Sequence, residues 1–351
     1  MKTPQRSPGI LLGRVLDGAV WGCLLLVLLA WQVMQWTGDL WWGGTFLLFS
    51  PRILLIIPFC VLLPFVLWKR RWLLLLPLAA GMVVVCIPFM GFTYALKSHN
   101  LSLNNKPIRV VTCNIHSGDF DQMKLALLIR HTAADIVMLQ ECPAKAVYTA
   151  PLNWSIVSSK DFAILSRYPL EGLHVVSTSP PGESWKIVQL LQSVAKTPYG
   201  DVAVCSVQLP TPRYGLQEMF DRKTIVRLSR KGRLDKELRY RKEAAEKVRD
   251  YVEGLTVPVI IGGDFNTPEE SRLFKAVWGD YCNAFSETGR GYGWTQRVRF
   301  SGIRFRARID HILTKGAIVP LTSAVGVDVD SDHLPLIADV VVTKEGSAGK
   351  R

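Results

Sequence analysis

The chain has 351 residues, 49% of them hydrophobic, and a mean hydropathy of +0.19: room for one large or two smaller domains, and too apolar for a fully soluble protein. A net charge of +13 would suit a nucleic-acid partner, but residues 1–96 hold +5 of it and residues 221–250 another +6. The remaining +2 excludes a general polyanion-binding surface and leaves membrane flanks plus one basic helix.

The apolar excess lies between residues 15 and 96, and the composition turns ordinary after Lys97. A membrane-crossing helix needs about 20 mostly apolar residues. Val15–Trp36, Thr45–Trp68 and Trp72–Leu96 approach that length, so residues 1–96 are predicted to form a membrane domain of about three transmembrane helices. The second segment is the weakest, with Pro51, Pro58 and Pro64 inside it and Arg52 near its start, where the side chain is expected to snorkel or to sit at the interface. Trp31, Trp36, Trp41, Trp42, Trp68 and Trp72 fall near segment ends, as interfacial belts require. A cleavable signal peptide would explain the first segment only, and no clear small-x-small cleavage site follows it. Lys2, Arg6 and Arg14 precede the first segment, the first loop has no Lys or Arg, and Lys69, Arg70 and Arg71 fill the second. That distribution predicts a cytoplasmic N-terminus and, after three crossings, a periplasmic or extracellular C-terminal domain.

Residues 97–107 are polar and read as a linker, residues 108–343 as the catalytic domain, and residues 344–351 as a polar tail. Buried strands are predicted at Ile108–Ile115, Asp135–Gln140, Phe162–Leu165, Lys186–Val194, Asp201–Val207, Val257–Ile261, Arg308–Leu313 and Leu336–Val342. Helices are predicted over Asp121–His131 and over Leu234–Glu253, the latter with Leu234, Leu238, Ala245, Val248 and Val252 on one stripe and Gly254 as its stop. Strands and helices mix without strict alternation, which argues for an α+β or layered α/β sandwich rather than a barrel. Cys113 and Cys205 fall in strand-like runs and read as buried free thiols; no Cys has metal-type spacing.

Polar residues cluster where these apolar runs end: Asn114, Glu141, Asp264, Asn266, Asp310, Asp332 and His333. Oxygen ligands suit Mg²⁺, a His beside a carboxylate can take a proton from water near neutral pH, and amide N–H groups can stabilise a charged phosphoryl transition state. The stretches carrying them are TCNIHSGD (Thr112–Asp119), DIVMLQE (Asp135–Glu141), GGDFNTP (Gly262–Pro268), RIDHIL (Arg308–Leu313) and SDHLP (Ser331–Pro335). Together, and in this order, they resemble the endonuclease/exonuclease/phosphatase (DNase I-like) superfamily, in the form of a membrane-anchored bacterial-type member. The resemblance covers residues 108–343 and implies an α/β (α+β) fold: a four-layer sandwich of two mixed β-sheets flanked by helices, here preceded by an N-terminal helical transmembrane domain. It implies Glu141, Asn114 and Asp332 on the metal side, with Mg²⁺ expected, Mn²⁺ as the alternative, and no organic cofactor. It further implies Asp264 orienting or activating water, Asn266 steadying the transition state, and an Asp310–His333 dyad.

Two positions depart from the family's pattern. Gln208 stands where members often have a His; it can donate a hydrogen bond but cannot transfer a proton. His116 stands where some nucleases carry an acidic residue. Taken alone, Asp264 would be an ordinary turn residue or helix cap, with Pro268 suiting a helix start at Thr267. His99, His131 and His174, and Asp328 and Asp330, have no motif around them. Arg222–Arg249 reads as a solvated or lipid-facing helix, since only Tyr240 interleaves it. The expected activity is hydrolysis of a phosphoester, a diester first, by a membrane-anchored enzyme working on lipid headgroups or small phosphodiesters beside membrane lipids. The alternatives are a surface nuclease on DNA or RNA and a catalytically weakened binding protein.

Overall fold

The computed structural model describes residues 8–95, 106–116, 122–143, 148, 151–220, 231–300 and 303–343. The predicted tail, nearly all of the predicted linker, and the 221–230 part of the basic stretch lie outside the described residues. The chain divides into two compact units, Met1–Phe92 with Glu270–Arg272, and Thr93–Glu269 with Leu273–Arg351.

In the first unit, α1 (Pro8–Thr37) is an uninterrupted apolar helix. α2 (Trp42–Phe49) and the following 3₁₀ turn with α3 (Ile57–Trp68) are bent by 84° at Ser50–Pro51. Proline lacks an N–H and drives the residue before it out of the helical region, and Ser50 is extended at ψ 164°. The second predicted segment is therefore a broken pair rather than one straight helix. A 3₁₀ turn, α4 (Leu75–Val84) and a π-helical turn make a third apolar rod, Trp72–Phe89. It stops short of the predicted Leu96 because Pro88 disrupts its last turn and Gly91 leaves the helix at φ +75°. Arg52 is not snorkelled: it is buried, and its guanidinium donates to the Phe89 carbonyl, one of the oxygens a helix end leaves unpaired.

The second unit opens with β1 (Thr93–Tyr94), β2 (Ile108–Asn114), α5 (Gln122–Thr132), β3 (Ile136–Gln140), β4 (Ser155–Ser159), β5 (Phe162–Ser166), β6 (Leu170–Thr178), β7 (Ile187–Thr197) and β8 (Gly200–Gln208). Then come α6 (Arg213–Phe220), α7 (Lys231–Glu253), β9 (Val259–Asp264), α8 (Arg272–Trp278), β10 (Cys282–Asn283) and α9 (Ala284–Thr288). β11 (Arg290–Gly291), β12 (Gln296–Phe300), β13 (Ile303–Ala307), β14 (Asp310–Lys315), β15 (Ile318–Val325) and β16 (Leu336–Val342) complete it.

Two six-stranded sheets result, ordered β15-β16-β2-β3-β5-β4 and β10-β14-β9-β8-β7-β6. Each is mixed, with one parallel pair among antiparallel ones: β2/β3, joined through α5, and β8/β9, joined through α6 and α7. Side chains alternate faces along a strand, which sorts the apolar residues into layers. Val110, Met138, Val204, Ile260 and Ile312 point between the sheets into one shared core. Val111, Cys113, Val137 and Leu139 face the other way, onto Leu125, Leu128 and Ile129 of α5. Cys205, Val207 and Ile261 face Ala245, Val248 and Val252 of α7 and Phe274 of α8. Two mixed sheets flanked by helices are thus the fold that the sequence resemblance implies.

Candidate active site

The same alternation carries polar residues to one end of the interior. Following Val110 and Thr112, Met138, Val204 and Ser206, and Ile260 and Gly262, the next positions on the inner face are Asn114, Gln140, Gln208 and Asp264. These are the C-terminal ends of the two parallel pairs. β14 and β16 run antiparallel to β9 and β2, so their N-terminal ends arrive at the same place: Asp310 sits opposite Asp264, and His333 just precedes β16. Beneath them Gln140 donates to Thr112 Oγ1 (3.1 Å) and Ser206 Oγ (2.8 Å), joining the sheets under the site. His116, Glu141 and Asn266 at this rim lie at positive φ (44°, 53° and 48°), uncommon for non-glycine residues.

All eight residues singled out in the sequence meet here. Asp264 is buried; its Oδ1 accepts from the Asn266 N–H (2.8 Å), and its Oδ2 accepts from Asn266 Nδ2 (3.0 Å) and Asn114 Nδ2 (3.2 Å). Asn114 Nδ2 also donates to Glu141 Oε1 (2.9 Å), and Gln208 Nε2 reaches the same oxygen (2.6 Å). His333 Nδ1 bonds Asp310 Oδ2 (2.9 Å), leaving Nε2 aimed at Asp264 Oδ2, 4.0 Å away. Asp332 Oδ1 and Glu141 Oε2 lie 3.7 and 3.3 Å from His116 Nδ1.

Burial and nearby charge set the protonation states. Burial raises the Asp264 carboxyl to about 7; His333 opposes the rise, while Asp310 and Glu141 add to it. Burial disfavours an imidazolium at His333, but Asp310 and Asp264 more than offset that and raise it to about 10. Before any cation or substrate arrives, His333 therefore keeps its proton, between Asp310 and Asp264.

The donor set fits a hard divalent cation. Asp332 Oδ1 is buried without a hydrogen-bond partner, and the carboxylates of Glu141 and Asp264 stand beside it across the same cleft. Asn114 enters differently from the sequence expectation of metal support: its oxygen accepts from the His116 N–H (3.0 Å), so its nitrogen faces the carboxylates. Asp264, Asp310 and His333 also offer ligand atoms within 4.8 Å of one another. The Asp310–His333 bond already engages two of those three groups, which favours a proton-holding dyad over an all-ligand cluster.

Further residues support the site: Ser331 opens the SDHLP stretch, whereas Thr295, Gln296 and Arg241 had no motif to announce them. Thr295 Oγ1 accepts from the Asp310 N–H (3.2 Å), Gln296 Nε2 contacts His333 Nε2 (3.2 Å), and Ser331 Oγ donates to the Asn114 carbonyl (2.7 Å). Arg241, only 2% exposed, donates to the carbonyls of Pro210 (3.0 Å) and Asn266 (2.9 Å) and to Thr267 Oγ1 (2.7 Å). Its signal was present: position 241 completes the Leu234, Leu238, Ala245, Val248 stripe, where a charged residue is out of place unless fully bonded. The helix start expected at Thr267 is absent; Thr267 accepts from Arg241, and α8 begins at Arg272. Asp328 accepts from Arg297, and His131 and His174 are exposed. His116, Glu141, Gln208, Asp264, Asn266, Gln296, Asp332 and His333 all line one open cleft of about 850 Å³.

The sequence model of the Endonuclease/Exonuclease/phosphatase family matches residues 111–333. No curated protein matches the chain. Among solved structures, an endonuclease/exonuclease/phosphatase from Beutenbergia cavernae is similar at 19% identity, with 68% of this chain and 72% of that one covered and a TM-score of 0.47. TDP2 from D. rerio, complexed with a single-stranded DNA product, is similar at 12% identity over 68% and 100%, with a TM-score of 0.49. The 3′–5′ exonuclease NExo from Neisseria meningitidis is similar at 18% identity over 66% and 98%, with a TM-score of 0.46.

Proposed function

The chain belongs to the endonuclease/exonuclease/phosphatase family, and from that premise we propose that it is a membrane-anchored, Mg²⁺- or Mn²⁺-dependent phosphodiester hydrolase. One observation carries the reading: buried Asp264 is held by the Asn266 and Asn114 amides while facing the Asp310-backed imidazole of His333. A carboxylate fixed this way aligns a water for in-line attack on phosphorus and takes up its proton. His333, charged and steadied by Asp310, holds a phosphoryl oxygen through Nε2. Asn266 and Asn114 keep Asp264 oriented and steady the transition state through it, since the Nδ2 hydrogens of Asn266 go to Asp264 and the Leu209 carbonyl and those of Asn114 to Asp264 and Glu141. Glu141 and Asp332 hold the cation, which when bound neutralises phosphoryl oxygens and stabilises the leaving alkoxide. Gln208 is tied to Glu141, so it serves as a donor positioning that carboxylate rather than as a proton source.

The first unit supports the anchor. Two rods, Leu11–Leu40 and Trp72–Phe89, are long and apolar enough to cross a membrane, and the bent pair makes a third if it is one span. Two contacts favour three crossings. Arg71, after α3, pairs with Asp17 near the start of α1, whereas Phe89 packs with Met34 near its end. At 1.5 Å per residue, Asp17 and Met34 are about 25 Å apart along α1, close to the roughly 30 Å of a hydrocarbon core, which supports a second crossing before Arg71 and a third before Phe89. With Arg14 and the Lys69–Arg71 cluster on the cytoplasmic side, the chain leaves the third rod on the opposite side, and the hydrolase works in the periplasm or outside the cell.

The test is a substrate panel on the full chain in detergent: a chromogenic phosphodiester, phospholipid and DNA, each with Mg²⁺ and with EDTA. Cation-dependent cleavage of a diester is expected. A folded chain that turns over none of them would favour the weakened binding protein that Gln208 suggests.

A further inference from the structure

The first unit includes three residues from far along the chain, Glu270–Arg272, and each commits its side chain there. Glu270 Oε2 accepts from Arg52 Nη1 (3.2 Å), with the two side chains only 11% and 8% exposed. Ser271 is fully buried, and its Oγ donates to Asp39 Oδ1 (2.8 Å), itself buried. The Arg272 guanidinium donates to the Trp36 carbonyl, at the end of α1. Two glycines admit the segment: a Cβ at Gly38 would collide with Arg272 Cβ, and one at Gly91 with Glu270 Oε1. A carboxylate and a guanidinium leave water at a cost that only close pairing offsets, so this seating tolerates little displacement. The segment begins four residues after Asn266, whose φ of +48° persists in a non-glycine residue only where the surroundings over-determine it. Nearer Asn266 the loop has its own holds: Arg241 donates to the Asn266 carbonyl (2.9 Å), and Arg308 to Glu269 Oε2 (2.5 Å).

We propose that Arg52 and Asp39 are positioning residues for the active site: through Glu270 and Ser271 they fix the far end of the loop that carries Asp264 and Asn266. The assignment rests on the phosphodiesterase reading above and makes the rate of that site depend on the fold of the apolar unit. The link is covalent and short. Asn266 gives Asp264 its N–H (2.8 Å) and its Nδ2 (3.0 Å), so a loop released at Glu270 loosens the two bonds that orient the carboxylate. A displacement of about 1 Å in a reacting group can cost about 100-fold in rate. Neither Glu270 nor Ser271 lines the catalytic cleft, so substrate contacts stay as they are and the loss falls on kcat rather than KM.

The test uses the full chain in nonionic detergent, as wild type, as the Glu270→Gln, Ser271→Ala double variant, and as Arg52→Met and Arg52→Lys. Two readouts are taken: turnover of bis(p-nitrophenyl) phosphate with Mg²⁺, and hydrogen–deuterium exchange by mass spectrometry, which reports local opening. In the double variant kcat should fall about tenfold or more with KM within about twofold of wild type, and exchange should quicken over residues 262–269 but not over β2 or α7. Arg52→Met should do the same, and Arg52→Lys, which keeps a cationic donor for Glu270, should stay near wild type. If Arg52→Met does not fold, the double variant decides, since its changes lie outside the helices of the first unit. Unchanged exchange over 262–269 in the double variant overturns the proposal whatever the rate. A wild-type kcat despite faster exchange, or exchange that rises evenly along the chain, overturns it too. Faster exchange confined to 262–269 in a chain whose wild type cleaves no diester would sustain the hold on the loop and remove the hydrolase reading instead.

Discussion

Replacing Asp264 by Asn keeps the shape of the side chain and its bond from the Asn266 N–H but removes the charge that would accept water's proton. We expect kcat to fall about 10³-fold, within the range for loss of a positioned acid–base group, with the circular dichroism spectrum unchanged. A different residue next door governs stability rather than rate. His311 is fully buried, its Nε2 facing the Thr267 carbonyl (2.9 Å) and its Nδ1 facing Asn283 Nδ2 (3.2 Å). Burial holds it neutral by lowering its pKa from 6.5 to about 3, with Arg308 assisting. The unfolded chain binds a proton below about pH 6.5 that the folded chain refuses, so stability is complete above that pH and declines as the pH falls toward 3. Thermal melts should show this decline, up to about 1.4 kcal/mol per pH unit, and a shallower one in His311→Gln. An identical pH profile in the variant would contradict the assignment.

At the scale of elements, α7 is both a packing helix and a brace for the site. Arg241→Met should fit the apolar stripe yet strand the Pro210 and Asn266 carbonyls, which now accept from the guanidinium. The expected cost is about 2 kcal/mol or more in stability, from buried acceptors left unpaired, together with a fall in kcat through Asn266. A melt and a rate equal to wild type would show that α7 merely packs. The sequence made this helix and the central strands legible because burial on both faces writes continuous apolar runs such as IRVVTCN and VIIGGD. The edges were not legible. β4 (SIVSS) and β6 (LEGLHVVST) lie at the sheet margins and are largely exposed or half-buried, so neither has a continuous buried face to mark it. For the site, motif residues ending buried strands stood out, whereas Thr295 and Gln296 belong to no motif and act through isolated side-chain contacts, which leave no periodic trace.

For the molecule as a whole, anchoring and chemistry make separate predictions. If the three rods cross with Arg14 and Lys69–Arg71 inside, protease added to spheroplasts should digest the hydrolase unit, with protection only in intact cells that retain an outer barrier. Protection in spheroplasts that disappears on lysis would invert the topology. The proposed chemistry has one water, prepared by Asp264, attack one phosphorus atom, with no covalent enzyme intermediate. The most direct measurement is cleavage of a phosphodiester in H₂¹⁸O with Mg²⁺, followed by mass spectrometry of the phosphomonoester. The account predicts one ¹⁸O on phosphorus per turnover, none on the released alcohol, and near loss of product in Asp264→Asn. Label in the alcohol, or undiminished turnover in Asp264→Asn, would contradict it.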